Sequence, residues 1–127
     1  MSLEHRVNYA KFILALSRDD KDEIVRLWFD VLKTRTKKSD PEVAYLLACF
    51  WNDRDSKDIL GNFNIATFMD ECEKRDPMIQ VAEDYIFAAR SSLMIRGMGK
   101  AFGLQLRISQ IWKKDAEEFL KSQNIVY

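Results

Sequence analysis

The sequence predicts an all-α fold, an irregular orthogonal bundle of about six helices in one domain spanning residues 1–127. Three observations carry this. Glycine and proline are scarce, four and two in 127 residues, which leaves few turns for a β-sandwich. Apolar residues recur at gaps of three and four in most segments. No segment sustains period-two alternation with β-branched enrichment, so no sheet is expected.

Leu3, Val7, Ala10 and Leu14 start the first helix, with Ser2 as N-cap and an end near Ser17. Asp20 followed by Glu23 forms an acidic capping box for the second. Ile24, Leu27, Trp28 and Val31 make its stripe, with Leu32 beside them, and it should end near Thr34. The run from Lys33 to Lys38 then follows, and a cationic run at a helix C-terminus complements the macrodipole.

Asp40-Pro41 supplies an N-cap followed by proline at the first helical position. Ala44, Leu47, Ala48 and Trp51 are that helix's stripe. Residues 52–64 read as a polar, solvated loop with a turn at Gly61. Ile65, Phe68, Met69 and Cys72 mark a short fourth helix. Asp76-Pro77 repeats the start signal, and Ile79, Ala82, Ile86, Ala89 and Leu93 predict the longest helix, to about Phe102. Gly103 is its C′ residue. Leu104, Ile108, Ile111, Trp112, Ala116 and Phe119 form the last helix.

Composition bounds the function classes. Twenty basic and twenty acidic residues cancel, so no electrostatic footprint for nucleic acid appears. No apolar run is long enough to cross a bilayer, and the first residues lack a signal-peptide pattern. Cys49 and Cys72 lie in helical apolar patterns and read as reduced core residues.

Five motifs bear on chemistry. The glycines at 97, 99 and 103 miss the dinucleotide fingerprint, because the third falls one position late and a helix precedes them. Gly99-Lys100 lacks the rest of a phosphate loop: Met94 stands five residues before Gly99, and Ala101 replaces the hydroxyl that would hold magnesium. The remaining reading is close helix packing at the glycines. The stretch from Asp53 to Asp58 resembles a calcium loop only at its acidic positions; Lys57, Asp58 and Asn64 occupy the wrong places. His5 is the only histidine, and no zinc spacing exists with the two cysteines; a Cys–His catalytic pair stays open at this level. The Lys33–Lys38 run is either a solvated helix end or a site for an anionic lipid or nucleic acid. Trp28, Trp51 and Trp112 each sit on an apolar stripe and read as core anchors, or one of them as facing a partner. No catalytic, cofactor-binding or metal-ligating residue emerges; a small enzyme using Asp and Glu side chains from several helices is a third possibility, and nothing in the spacing selects it.

Three stretches together resemble a known family. The segment RVNYAKFILALSRD, Arg6 to Asp19, is similar to the R-x-x-[YF]-A helix that follows the metal-binding aspartate loop in aarF/UbiB-type atypical kinases. RSSLMIRGMGKAFG, Arg90 to Gly103, resembles that family's run R-x-x-x-[LM]-[LI]-R-G-[LM]-x-x-x-[LF]-G. Trp112, Ala116 and Leu120 resemble its closing W-x-x-x-A-x-x-x-L helix. The resemblance runs from about Leu3 to Ser122.

It implies the C-terminal part of a protein-kinase-like large lobe, in a family that binds ATP with magnesium and is associated with ubiquinone and other prenyl-lipid metabolism. The family's K-x-G-Q extension, nucleotide lysine, catalytic aspartate and metal aspartate precede the matching region and have no counterpart here. The expectation is therefore a non-catalytic helical segment with no cofactor of its own, whose partner is the rest of the lobe. It would be mitochondrial or plastid, with peripheral membrane association of the parent enzyme and self-association through uncovered apolar surface. The alternative is an independent, cytoplasmic adaptor or scaffold module that binds a helical protein.

Overall fold

A computed structural model describes residues 1–127, and it is an all-α bundle. The elements are α1 (Leu3–Arg18), α2 (Lys21–Arg26) continued by a π-helical turn (Leu27–Val31), β1 (Arg35–Thr36), α3 (Pro41–Asn52), α4 (Lys57–Leu60), α5 (Ile65–Arg75), β2 (Met78–Gln80), a 3₁₀ turn (Glu83–Tyr85), α6 (Ile86–Ala101) and α7 (Ile108–Ser122). Six of the seven α-helices correspond to the six expected from the sequence, and the one-turn α4 is the addition. No helix is long and apolar enough to cross a membrane.

The start signals act locally where their side chains are free. Ser2 accepts from the His5 amide and Asp20 from that of Glu23; Asn64, placed in the loop by the sequence reading, also caps, accepting from the Thr67 amide. Asp40 accepts from the amides of Glu42 and Val43, with Pro41 in the first turn. Each cap satisfies amides that a helix leaves orphaned and is worth about 1 kcal/mol.

The core forms where α1, α2, α3 and α7 converge. Phe12, Ile13 and Leu16 of α1, Ile24 of α2 and Val43 of α3 are almost wholly enclosed. α7 lies along α1 and buries Ala116 and Leu120 there. The π turn widens the end of α2, where the Leu32 amide donates back five residues to Leu27 at 2.8 Å. With that extra residue, Leu27, Trp28 and Leu32 all reach the core.

Two expectations fail in one place. Asp76-Pro77 starts no helix, and a two-stranded antiparallel ribbon exists. Arg35 pairs with Gln80 and Thr36 with Met78, with an irregularity between them. The reason is that the Asp76 carboxylate is already engaged: it accepts from Thr36 Oγ1 at 2.6 Å, the Lys38 amide at 2.6 Å and the Asp40 amide at 2.8 Å. It cannot also cap the residues after it. Those residues join Arg35–Thr36 instead, and Ile79 points to solvent.

The helix then begins at Ile86 rather than near Pro77. Its C-terminus is as expected: the Gly103 amide donates to Lys100 and that of Leu104 to Gly99, a Schellman pattern. Gly103 has φ +75° there, a conformation costly for any residue with a side chain.

Candidate interaction surface and cleft

The loop expected to be solvated is the polar centre of the molecule. Asp53 is wholly buried, and Arg54 and Asp55 nearly so. Asp53 Oδ1 accepts the Ser109 amide at 2.8 Å, and its Oδ2 accepts from Arg54 Nη1 at 2.6 Å and Arg107 Nε at 3.0 Å. The Asp53 carbonyl takes the Ile108 amide at 3.0 Å. A residue from the α3–α4 loop thus caps α7, for which Arg107 at the N-cap position provides no side-chain bond.

The neighbouring side chains extend this node. Arg54 also reaches Asp58 at 2.8 Å, Tyr45 Oη at 3.1 Å and Asp19 at 3.4 Å. Lys100 Nζ of α6 lies 2.5 Å from Asp55 Oδ2. Arg107 donates to the Leu16 carbonyl at 2.5 Å. Ser92 donates to the Asn52 carbonyl and Arg96 to that of Trp51. Arg54, Arg96, Lys100 and Arg107 thereby balance Asp19, Asp53, Asp55 and Asp58 in one cluster that ties α1, α3, α6 and α7.

Burial works to raise the Asp55 carboxyl, but Lys100, with Arg96 and Gln105, outweighs it and holds the group below its ordinary value. Burial lowers Arg96, whose guanidinium is met mainly by carbonyls, with Asp55 and Asp53 pulling the other way. Both oxygens of Asp53 are used by fixed donors, which suits a clamp and not a reacting group.

The other singled-out residues are placed as follows. Gly97 has open space where a side chain would stand, so close packing does not explain it. A Cβ at Gly99 would meet Leu106 Cδ1 at 2.6 Å, so close packing does explain that one. Both lie inside α6, and neither belongs to a loop. His5 stacks edge-on to Tyr85, with Nε2 3.5 Å from Asp84.

Cys49 and Cys72 are free and buried, and burial pushes their thiols up to about 12 and about 11 respectively. A thiol so held is protonated and unreactive at neutral pH. No group of His, Cys, Asp and Glu is arranged to hold a metal. The Lys33–Lys38 run is split by β1, its cations outside and Thr34 and Thr36 inside. Trp28 is core; Trp51 and Trp112 are half-buried.

α6 presents the feature that sequence reading missed. Its inward side holds Ser92 (0% exposed), Arg96 (2%) and Gly99. Its outward side holds Phe87 (81% exposed), Met94 (66%), Met98 (60%) and, at the C-cap, Phe102 (82%). At 100° per residue Phe87, Met94 and Met98 lie opposite Ser92, Arg96 and Gly99, and Phe102 stands to one side of them. Ala88 and Leu93 pack against the core, so α6 carries apolar residues on two sides rather than on one. From residue 85 to residue 114 the chain carries six basic residues and no acidic one, while the rest carries fourteen basic and twenty acidic. Contiguous exposed apolar side chains of this size mark interaction surfaces.

Beside α6 opens a cleft of about 370 Å³, lined by 17 residues of which 12 are hydrophobic. Only part of the expected apolar stripe faces this space: Ala82, Ile86 and Ala89 form one wall, while Ile79 points to solvent and Leu93 packs against the core. Trp28 and Leu32, then Leu47 and Trp51, and Met69 of α5 form the others. Two wall residues keep a buried polar atom without a partner, Trp28 Nε1 and Thr34 Oγ1. Such atoms cost about 1–3 kcal/mol each. Asn52 and Asp76 in the same wall are fully engaged.

Compared with known proteins, the chain matches no family model, no curated protein and no solved structure.

Proposed function

We propose that this chain is a non-catalytic helical interaction segment, and that the body it braces is the remainder of an aarF/UbiB-type kinase lobe. The observation that carries the first part is the second, outward apolar side of α6, where Phe87, Met94, Met98 and Phe102 stand exposed. Exposing four large apolar side chains has no benefit to the isolated chain, and covering them by a partner removes apolar surface from water. Methionine suits such a surface because its flexible thioether adapts to its partner.

The second part rests on the resemblance. The run Arg90–Gly103 that carries it is α6 and its terminating glycine. In this reading, phosphoryl transfer belongs to the covering body, which supplies the nucleotide lysine and metal-holding carboxylates. ATP and magnesium are then that body's ligands, and the association with prenyl-lipid metabolism in mitochondria or plastids comes with the family.

The test is twofold. The coding sequence upstream of Met1 is expected to continue in frame through an aspartate-glycine loop and a K-x-G-Q motif, and calorimetry on the chain alone is expected to give no magnesium-dependent ATP binding. An in-frame stop beside a promoter, or micromolar ATP binding by this chain, overturns the kinase-lobe assignment. The second reading, an independent adaptor, is favoured by the self-contained ionic node and core. It predicts the stop codon together with a partner that still covers α6.

A further inference from the structure

We infer that an acid-rimmed groove between α3, α4 and α5 receives the Met98–Phe102 end of α6 from a second copy of this chain, head to tail. The inference rests on the reading that the outward side of α6 is there to be covered, and it names the covering surface in a chain that stands alone. The groove holds about 350 Å³. Seven of its twelve lining residues are hydrophobic; among them Leu46 and Leu60 are half-buried and Phe63 is 48% exposed. It shares only Cys72 with the larger cleft, so α5 stands between the two. No residue of α6 lines it, so the chain's own outward helix leaves it open.

Charge selects the occupant. Glu42, Asp58 and Glu71 line the groove against one cation, Arg75, which is itself turned to Asp40 at 3.4 Å. The three carboxylate side chains are 48%, 56% and 45% exposed. Lys21 and Lys74 stand beside Glu42 and Glu71, but exposed pairs of this kind hold weakly and exchange readily. An apolar visitor in a cationic setting therefore suits the groove, and an acidic one does not. The end of α6 is such a visitor: Met98 and Phe102 are exposed in a stretch, residues 85–114, with six basic residues and no acidic one. Gly97 and Ala101 beside them are exposed and small, and the space at Gly97 is open. A facing wall can approach closely there, which gives Gly97 a role that its own fold does not supply. The two surfaces differ, so the contact is heterologous: each added copy leaves one groove and one α6 free, and growth passes the dimer.

Sedimentation equilibrium on the whole chain and two double variants is the test. The groove variant is Phe63→Ser with Glu71→Lys, and the α6 variant is Met98→Ser with Phe102→Ser. The wild-type average mass is expected to pass twice 14.9 kDa as concentration rises. Each variant alone should associate at least about tenfold more weakly. An equal mixture of the two should associate with wild-type strength and stop at twice 14.9 kDa, because one partner keeps only the groove and the other only α6. Raising salt from about 0.1 M to about 0.5 M should weaken wild-type association at least about threefold.

Thermal melts check that each variant folds; should Phe63→Ser unfold the chain, Glu71→Lys alone, at an exposed helical side chain, stands in for the groove variant. A groove variant that associates like wild type overturns the inference and leaves the reading of α6 standing. So does a wild-type chain that stops at the dimer, a mixture that stays monomeric, or association indifferent to salt. An α6 variant that associates like wild type, or a wild-type chain that never associates, overturns both.

Discussion

Replacing Asp53 by alanine isolates the ionic node. The carboxylate is 0% exposed and accepts three bonds, from the Ser109 amide and from the Arg54 and Arg107 side chains. Removal uncaps α7, at about 1 kcal/mol. It also leaves the buried Arg54 without its shortest carboxylate contact, and breaking a buried pair from one side costs about 3–5 kcal/mol. Arg54 keeps Asp58 and Arg107 is partly exposed, so the lower half applies. A total near 4 kcal/mol is expected, a large part of the roughly 5–15 kcal/mol that holds a domain together.

With an m-value of about 2 kcal/mol/M, the urea midpoint should fall by about 2 M. Asp53→Asn should recover only part of this. Its amide oxygen can take the Ser109 amide, but its NH₂ faces two guanidinium groups. An Asp53→Ala midpoint within about 0.5 M of wild type would refute the node as a clamp, because the loop would then tolerate the loss as a solvated loop does.

Further outcomes follow from the same geometry. Burial raises the Asp76 carboxyl, but the bonds from Thr36 and the Asp40 and Lys38 amides outweigh it and hold it below its ordinary value. Its contribution is therefore complete above the unfolded-state value near 4 and lost as pH falls through the lower folded value. Urea midpoints measured from pH 6 down to about pH 2 should fall steeply, and Asp76→Asn should flatten that fall. Gly97→Ala should raise stability by about 0.5–1 kcal/mol in thermal unfolding, because the site is open and helical. Gly99→Ala would set its methyl 2.6 Å from Leu106 Cδ1 and 2.9 Å from its Cγ, so it should lower stability instead. Cys49 and Cys72 should resist a thiol reagent at pH 7.5 in the folded chain and react at once in denaturant.

Local signals in the sequence read well where a residue's partner is close by. Ser2, Asp20 and Asp40 cap their helices because the amides they serve are two or three residues away. Asp76 carries the same signal as Asp40, yet its donors lie 36 to 40 residues earlier. Nothing in the pair Asp76-Pro77 distinguishes the two cases.

The node was illegible for the same reason. Asp53 and Asp55 look like a solvated loop until Arg107 and Lys100, 54 and 45 residues away, are brought to them. The ribbon did leave a trace. Lys33-Thr-Arg-Thr-Lys37 alternates cation and threonine, and the structure buries Thr34 and Thr36 between exposed cations. That period-two pattern is short and was outweighed by the charge run. On α6 the apolar spacing hid the second apolar side, because Ile86, Ala89 and Leu93 offered a sufficient inward stripe. The full pattern, with Phe87, Met94 and Met98 opposite Ser92 and Arg96, shows two apolar sides and a buried polar one.

Sedimentation equilibrium on the isolated chain tests most directly whether the outward side of α6 exists to be covered. The average mass is expected to rise above 14.9 kDa with concentration. Met94→Glu with Met98→Glu should hold it at the monomer value while leaving the urea midpoint nearly unchanged. A wild-type chain that stays monomeric at every concentration, or a double variant that unfolds much more readily, would contradict the account.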